Sequence, residues 1–158
     1  MAFKKIIKIT LIFLVGFLSA NLINFYLIYG LEAPLLNLSS NSSPYDFIKE
    51  DQIIIEDDKI IINIEDASIG RYAPTGSMRP VLDYGSNGIR VKPDSEEDVH
   101  IGDIISFRKD GILIIHRVVE KGIDKNGVYF ITKGDNNTAV DKKVRFKDIE
   151  YITVGILW

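Results

Sequence analysis

Apolar and polar positions divide the chain into two regimes. From Ile6 to about Tyr29 the sequence is almost wholly apolar, broken only by Lys8, Thr10, Ser19, Asn21 and Asn24. Roughly 20 such residues, each rising about 1.5 Å along a helix, cross a bilayer core of about 30 Å. The pattern therefore predicts a transmembrane helix, assigned to residues 9–29, with residues 1–8 before it. Further along, the period changes. Short runs of Ile and Val with no 3.6-residue stripe predict strands, so the region from 53 to 158 reads as a mainly β domain. Ile53–Ile55 and Ile60–Ile62 flank Asp57-Asp58-Lys59 as a hairpin. Ile104–Phe107 and Ile112–Val119 flank Lys109-Asp110-Gly111, a strong turn signal. Val128–Thr132 follows Asn126-Gly127, a second one, and Tyr151–Leu157 makes a last strand. Residues 83–100, with Gly85, Gly88, Pro93 and an acidic run, read as an excursion holding one short strand, Ile89–Val91.

Between the two regimes lies a polar linker, residues 30–52, whose richest part carries Asn37, Ser39, Ser40, Asn41, Ser42, Ser43 and Pro44. Leu18-Ser19-Ala20 offers the small residues of a cleavable signal, but the apolar run continues through Leu22, Ile23 and Phe25 to Ile28, which favours an uncleaved anchor. Lys4, Lys5 and Lys8 precede the run and the first acidic residue follows it. That asymmetry predicts a cytoplasmic N-terminus and everything after Gly30 on the far side, in a single-pass arrangement.

Composition narrows the picture. The chain has 158 residues, 46% of them hydrophobic, enough for one modest domain and an appendage. No cysteine is present, which excludes disulfides, thiol nucleophiles and cysteine metal sites. The net charge of -3 hides an asymmetry: without the three N-terminal lysines, 16 basic face 22 acidic side chains. That balance argues against a nucleic-acid partner, and membrane lipid is the partner the apolar run implies. Sequons at Asn37, Asn41 and Asn136 are too short a pattern to carry weight.

Candidate chemistry gathers in three stretches. In Pro74-Thr75-Gly76-Ser77-Met78-Arg79-Pro80, Ser77 reads as a nucleophile, since the turn at Gly76 can aim the Ser77 N–H at a carbonyl oxygen and the Thr75 hydroxyl can add a second donor. The alternative is an ordinary turn serine. His116 stands in a strand apolar on both faces, where it is either a base or a core histidine satisfied by one hydrogen bond. His100, after an acidic loop, reads as a surface residue. Asp135 and Asp141 follow a strand on a polar loop, and either can orient a histidine by accepting its Nδ1 proton; alone, they are turn formers.

Four ordered blocks give these residues a common meaning: Gly76-Ser77-Met78-Arg79-Pro80, Gly102-Asp103-Ile104-Ile105, Ile115-His116-Arg117-Val118, and Thr132-Lys133-Gly134-Asp135-Asn136-Asn137 with Asp141 beyond. Together they resemble type I signal peptidases of the archaeal and endoplasmic-reticulum, Ser-His kind, over roughly residues 68–155. The resemblance implies a signal-peptidase or LexA-like β domain anchored by one N-terminal transmembrane helix. It also implies a serine endopeptidase that removes signal peptides from exported proteins. The nucleophile falls on Ser77, the general base on His116 and the orienting carboxylate on Asp141, with Asp135 supporting the site and Ser77 and Thr75 forming the oxyanion hole. A bacterial-type lysine base would fall where His116 stands. An apolar groove built from strand edges would take the extended substrate. Accessory or translocation subunits are implied partners, the location is the cell or endoplasmic-reticulum membrane, and no cofactor or metal is expected. The competing expectation is a non-catalytic or differently specific processing or assembly subunit of the same fold.

Overall fold

The computed structural model describes residues 2–29 and 41–158. They belong to two units, Met1–Ser40 and Asn41–Trp158. Residues 30–40 of the expected linker, with the Asn37 sequon, lie outside the described residues.

In the first unit, α1 (Ala2–Tyr29) is a single helix that also takes in the residues expected to precede the span. Its segment Phe3–Asn24 is long and apolar enough to cross a membrane. The polar residues inside the run do not break it, because they bond back to the helix itself. Thr10 Oγ1, Ser19 Oγ and Asn21 Nδ2 donate to the carbonyls of Ile6, Val15 and Phe17 at 3.0, 2.8 and 2.8 Å. A polar group satisfied within the segment costs little in hydrocarbon.

The second unit is β. Among the described residues, β1 (Ile53–Ile55) and β2 (Ile60–Ile62) pair only with each other. β3 (Ser68–Arg71), β4 (Asn87–Val91), β5 (Ile104–Lys109), β6 (Ile112–Asp124), β7 (Gly127–Lys133) and β8 (Ile149–Leu157) form one antiparallel sheet in the order β3-β4-β8-β5-β6-β7. The mainly β domain and the N-terminal apolar helix read from the sequence are both present.

The turn chemistry explains the central hairpin. Asp110 (φ 51°) and Gly111 (φ 80°) both take left-handed backbone, the geometry a two-residue turn needs to match the twist of β5 and β6. β5 is buried on both faces, so its Ile-Ile-Ser-Phe run alternates between two cores. Ile105 and Phe107 join Val118, Phe130, Ile149 and Ile152 in the larger one. Ile104 joins Tyr72, Met78 and Leu82 in the smaller one, which thereby holds the Ser77 loop against the sheet. Burying each such side chain is worth about 1.5–3 kcal/mol.

β6 is 13 residues long because it serves two neighbours in turn. It pairs with β5 through Arg117 and with β7 from Arg117 onward, with a register shift between Val118 and Glu120. His116 and Arg117 sit at that handover.

Residues 41–47, part of the stretch read as a linker, lie against the sheet instead of standing free. The buried Asp103 carboxylate accepts from the backbone N–H of Tyr45 (2.8 Å) and, with its other oxygen, from that of His100 (2.8 Å). The Tyr45 ring stacks on His100 with centroids 4.2 Å apart. A side chain at Gly102 (φ +102°) would collide with the Ser43 carbonyl, so the glycine is what lets the segment come so close. His100 is thus a contact residue of this segment.

Candidate active site

Ser77 is held by its carbonyls. The loop turns at Gly76 (φ +74°), and Leu82 N–H bonds back to Met78 O at 2.9 Å. Asn136, from the loop after β7, clamps it from outside. The Asn136 backbone N–H donates to Ser77 O (2.9 Å) and its side-chain amide to Gly76 O (3.1 Å). The C=O of Gly76 and the N–H of Ser77 point opposite ways across one planar peptide, so tying the carbonyl to Asn136 turns the N–H the other way. That N–H donates to no backbone acceptor among the described residues. Thr75 Oγ1 lies 3.3 Å from Ser77 Oγ, within hydrogen-bond reach.

His116 is 8% exposed, and its ring has the partner a buried imidazole needs. Nδ1 meets Asp141 Oδ2 at 2.6 Å. Asp141 is positioned in its turn: Thr132 Oγ1 donates to the same oxygen (2.8 Å), and the Asp141 N–H bonds Thr132 O (2.7 Å). With Nδ1–H donated to a carboxylate, the neutral ring presents the Nε2 lone pair as an acceptor.

Ser77 and His116 line one cleft of about 350 Å³, together with Thr75, Tyr72, Met78, Leu82, Asn137 and the β6 run Ile112–Ile115. Its walls are largely apolar and strand-built, which suits an extended apolar segment. Ser77 and an imidazole backed by a carboxylate thus border one space. A hydroxyl and a base are two of the groups that acyl transfer from a carbonyl uses.

Asp135 stands elsewhere. It forms a two-pronged pair with Arg117, Nε to Oδ1 and Nη2 to Oδ2 both at 2.8 Å, and the two side chains are 1% and 5% exposed. Arg117 Nη1 also donates to Gly102 O (2.8 Å) and Ser42 O (3.4 Å). Asp135 therefore braces the loop that carries Asn136 and makes no hydrogen bond to His116. Of the nearby lysines, Lys143 bonds Asp124 (2.7 Å) and lies 3.7 Å from the Tyr129 ring centroid, and neither Lys133 nor Lys142 lines the cleft.

The clamp by Asn136, the bond from Thr132 and the partnership of Arg117 with Asp135 escaped sequence reasoning. One signal was available for the clamp. Gly134 has no room for a side chain, since a Cβ there would lie 2.6 Å from Ser77 O and 2.6 Å from the Asn137 amide.

A serine and a carboxylate-backed histidine sharing a strand-built cleft point to the hydrolases as a class. Comparison with known proteins is narrower. No family model matches the chain. Over 70 residues it is 41% identical to the signal peptidase complex catalytic subunit SEC11 of Eremothecium gossypii, spanning 42% of this chain and 41% of that one. It is 35% identical over 71 residues to the signal peptidase complex catalytic subunit SEC11C of Homo sapiens, 43% and 36% of the two chains. It is 34% identical over 68 residues to signal peptidase I W of Bacillus subtilis, 42% and 36%. The chain is a homologue of signal peptidases over these stretches, and it matches less than half the length of each of these relatives.

Proposed function

We propose that this chain is a membrane-anchored serine endopeptidase that cleaves signal peptides from exported proteins, using Ser77, His116 and Asp141. The observation that carries the reading is the 2.6 Å bond between His116 and Asp141 at the wall of the cleft that Ser77 also lines. In this reading His116 Nε2 takes the Ser77 hydroxyl proton as Oγ attacks the scissile carbonyl carbon. The oxyanion is met by the Ser77 N–H and the Thr75 hydroxyl. On collapse the C–N bond breaks, and the imidazolium gives its proton to the leaving amine. Water then repeats the sequence on the acyl-enzyme and frees the serine. Asp141 holds the productive tautomer and stabilises the imidazolium, and Asp135 acts only through the loop it braces.

The apolar helix with three lysines at its N-terminal end supports a single-pass protein with its N-terminus in the cytoplasm, the β domain outside, and the linker between them. Signal peptides are the substrates of this reading, and subunits like those the relatives' names imply are its candidate partners. The test is cleavage of a model preprotein by the detergent-solubilised chain. Ser77→Ala is expected to abolish cleavage with folding unchanged, and activity near wild type in that variant would sink the assignment. Protease added outside spheroplasts is expected to digest the β domain; protection of the domain would reverse the orientation.

A further inference from the structure

The β1–β2 hairpin is unused by the site, and its make-up is unusual in three ways at once. It is a separate two-stranded sheet, closed at its base by Asn63 N–H to Gln52 O (2.9 Å) and Gln52 Nε2 to Asn63 O (2.9 Å), with neither outer edge paired among the described residues. Unpaired edges are templates for another strand, and an isolated hairpin gains little stability of its own. Both strands are all isoleucine, and the cross-strand pair Ile55–Ile60 is 77% and 67% exposed. The flanks are acidic. Residues 46–66 hold eight carboxylates and two lysines, a charge of -6 in a chain whose total is -3, so the rest of the protein is net positive. Both lysines are already engaged, Lys49 with Asp46 (3.3 Å) and Lys59 with Glu56 (3.0 Å). That leaves Glu50, Asp51, Asp57, Asp58, Glu65 and Asp66 without an ion pair among the described residues.

Charge decides among the occupants that could cover such a surface. A second copy would bring -6 against -6 within a Debye length of about 8–10 Å. A lipid surface would have to receive the acidic turn at Asp57-Asp58, or the carboxylates at the hairpin base, next to its headgroups. A polypeptide strand with an apolar face and basic ends fits all three features: it pairs with a free edge, covers the isoleucines and meets the carboxylates. We infer that the hairpin is a docking site for a partner protein that presents a basic-flanked apolar strand. The inference does not depend on what the Ser77 site does.

The test uses the full chain in non-ionic detergent and a fluorescent peptide with valine at alternate positions and a lysine pair at each end. Saturable binding is expected, weakening as salt is raised. At least about tenfold weaker binding is expected for the same peptide with glutamate replacing lysine. The same weakening is expected for the lysine peptide with Ile55→Thr/Ile60→Thr and, independently, with Asp57→Asn/Asp58→Asn, whose turn changes leave both strands intact. Two uncovered isoleucine side chains, or two surface charge pairs removed, set that size. Equal binding to wild type and to both variants would overturn the inference. So would quenching of Ile55→Trp, beyond that of the wild type, by brominated lipids in proteoliposomes, which would make the occupant lipid. A dimer seen by sedimentation and abolished in Ile55→Thr/Ile60→Thr would make it a second copy.

Discussion

Replacing Asp135 by alanine tests whether the Arg117–Asp135 pair is the brace that sets the Ser77 loop. With side chains 1% and 5% exposed, the substitution strands a guanidinium in the interior. Removing one partner of a buried pair costs about 3–5 kcal/mol, because the remaining charge has lost its compensation. Arg117 keeps its bonds to Gly102 O and Ser42 O, so the lower end, about 3 kcal/mol, applies. For a domain of this size each kcal/mol moves the melting temperature by about 4 °C, giving a fall of about 12 °C. Arg117→Met/Asp135→Leu removes both charges and orphans only two carbonyls, at about 1 kcal/mol each, so it is expected to be more stable than Asp135→Ala. Thermal unfolding of wild type, Arg117→Met, Asp135→Leu and the double variant, followed by circular dichroism in detergent, gives the coupling energy directly. A value above about 1.5 kcal/mol is expected. A coupling near zero, or a double variant less stable than Asp135→Ala, would refute the reasoning and leave the loop braced by something else.

Asp141→Asn is expected to lower kcat by about 10⁴-fold while shifting the melting temperature by only a few degrees, because an amide can hold the imidazole in the wrong tautomer and cannot stabilise the imidazolium. Were Asp135→Asn the kinetically dead variant and Asp141→Asn active, the two roles would have to be exchanged. Gly134→Ala sets a methyl 2.6 Å from Ser77 O, so it is expected to cost activity through displacement of the Asn136 clamp, seen as a loss in kcat larger than its loss in stability predicts. Asp124 supplies a pH test remote from the cleft. The Arg145 guanidinium, then Lys143 and the Asn126 N–H, hold its carboxyl far below the ordinary carboxylate range. A depressed folded value contributes stability that is present above the unfolded pKa of about 4 and is lost as pH falls through the folded one. The difference in melting temperature between wild type and Asp124→Asn is therefore expected to be constant from pH 8 to 5 and to shrink below about pH 4. A difference independent of pH would mean the pair is screened out.

Much of the architecture was legible because it rests on local rules. The helix follows from apolar length, and the hairpins follow from Asp110-Gly111 and Asn126-Gly127. β3 was not legible: Ser68-Ile69-Gly70-Arg71 is a short edge strand with one apolar residue, and it exists because β4 offers it hydrogen bonds. Residues 41–47 read as free linker because they are held mainly through backbone atoms, such as the Ser42 carbonyl and the Tyr45 N–H, and composition carries no record of where a backbone group bonds. In the site, the residue types at Ser77, His116 and Asp141 pointed to one another. The choice between Asp135 and Asp141 was open in sequence because the two carboxylates lie six residues apart on similar loops. Burial against Arg117 separates them in space.

The handover in β6 makes that strand intolerant of one kind of change. His116 and Arg117 are neighbours on an extended chain, so their side chains leave it on opposite sides, one toward Asp141 and the other toward Asp135. A substitution alters one of these partnerships. Loss of a single residue between Ile112 and Ile115 would slide the strand by one position against β5, presenting a guanidinium where the imidazole belongs and the Val118 side chain where the guanidinium belongs. Length errors in this strand therefore strike both partnerships together, whereas a length change within the turn at Asp110-Gly111 can be absorbed without moving either. Among homologues, gaps are expected to gather at that turn and to be absent from the strand behind it.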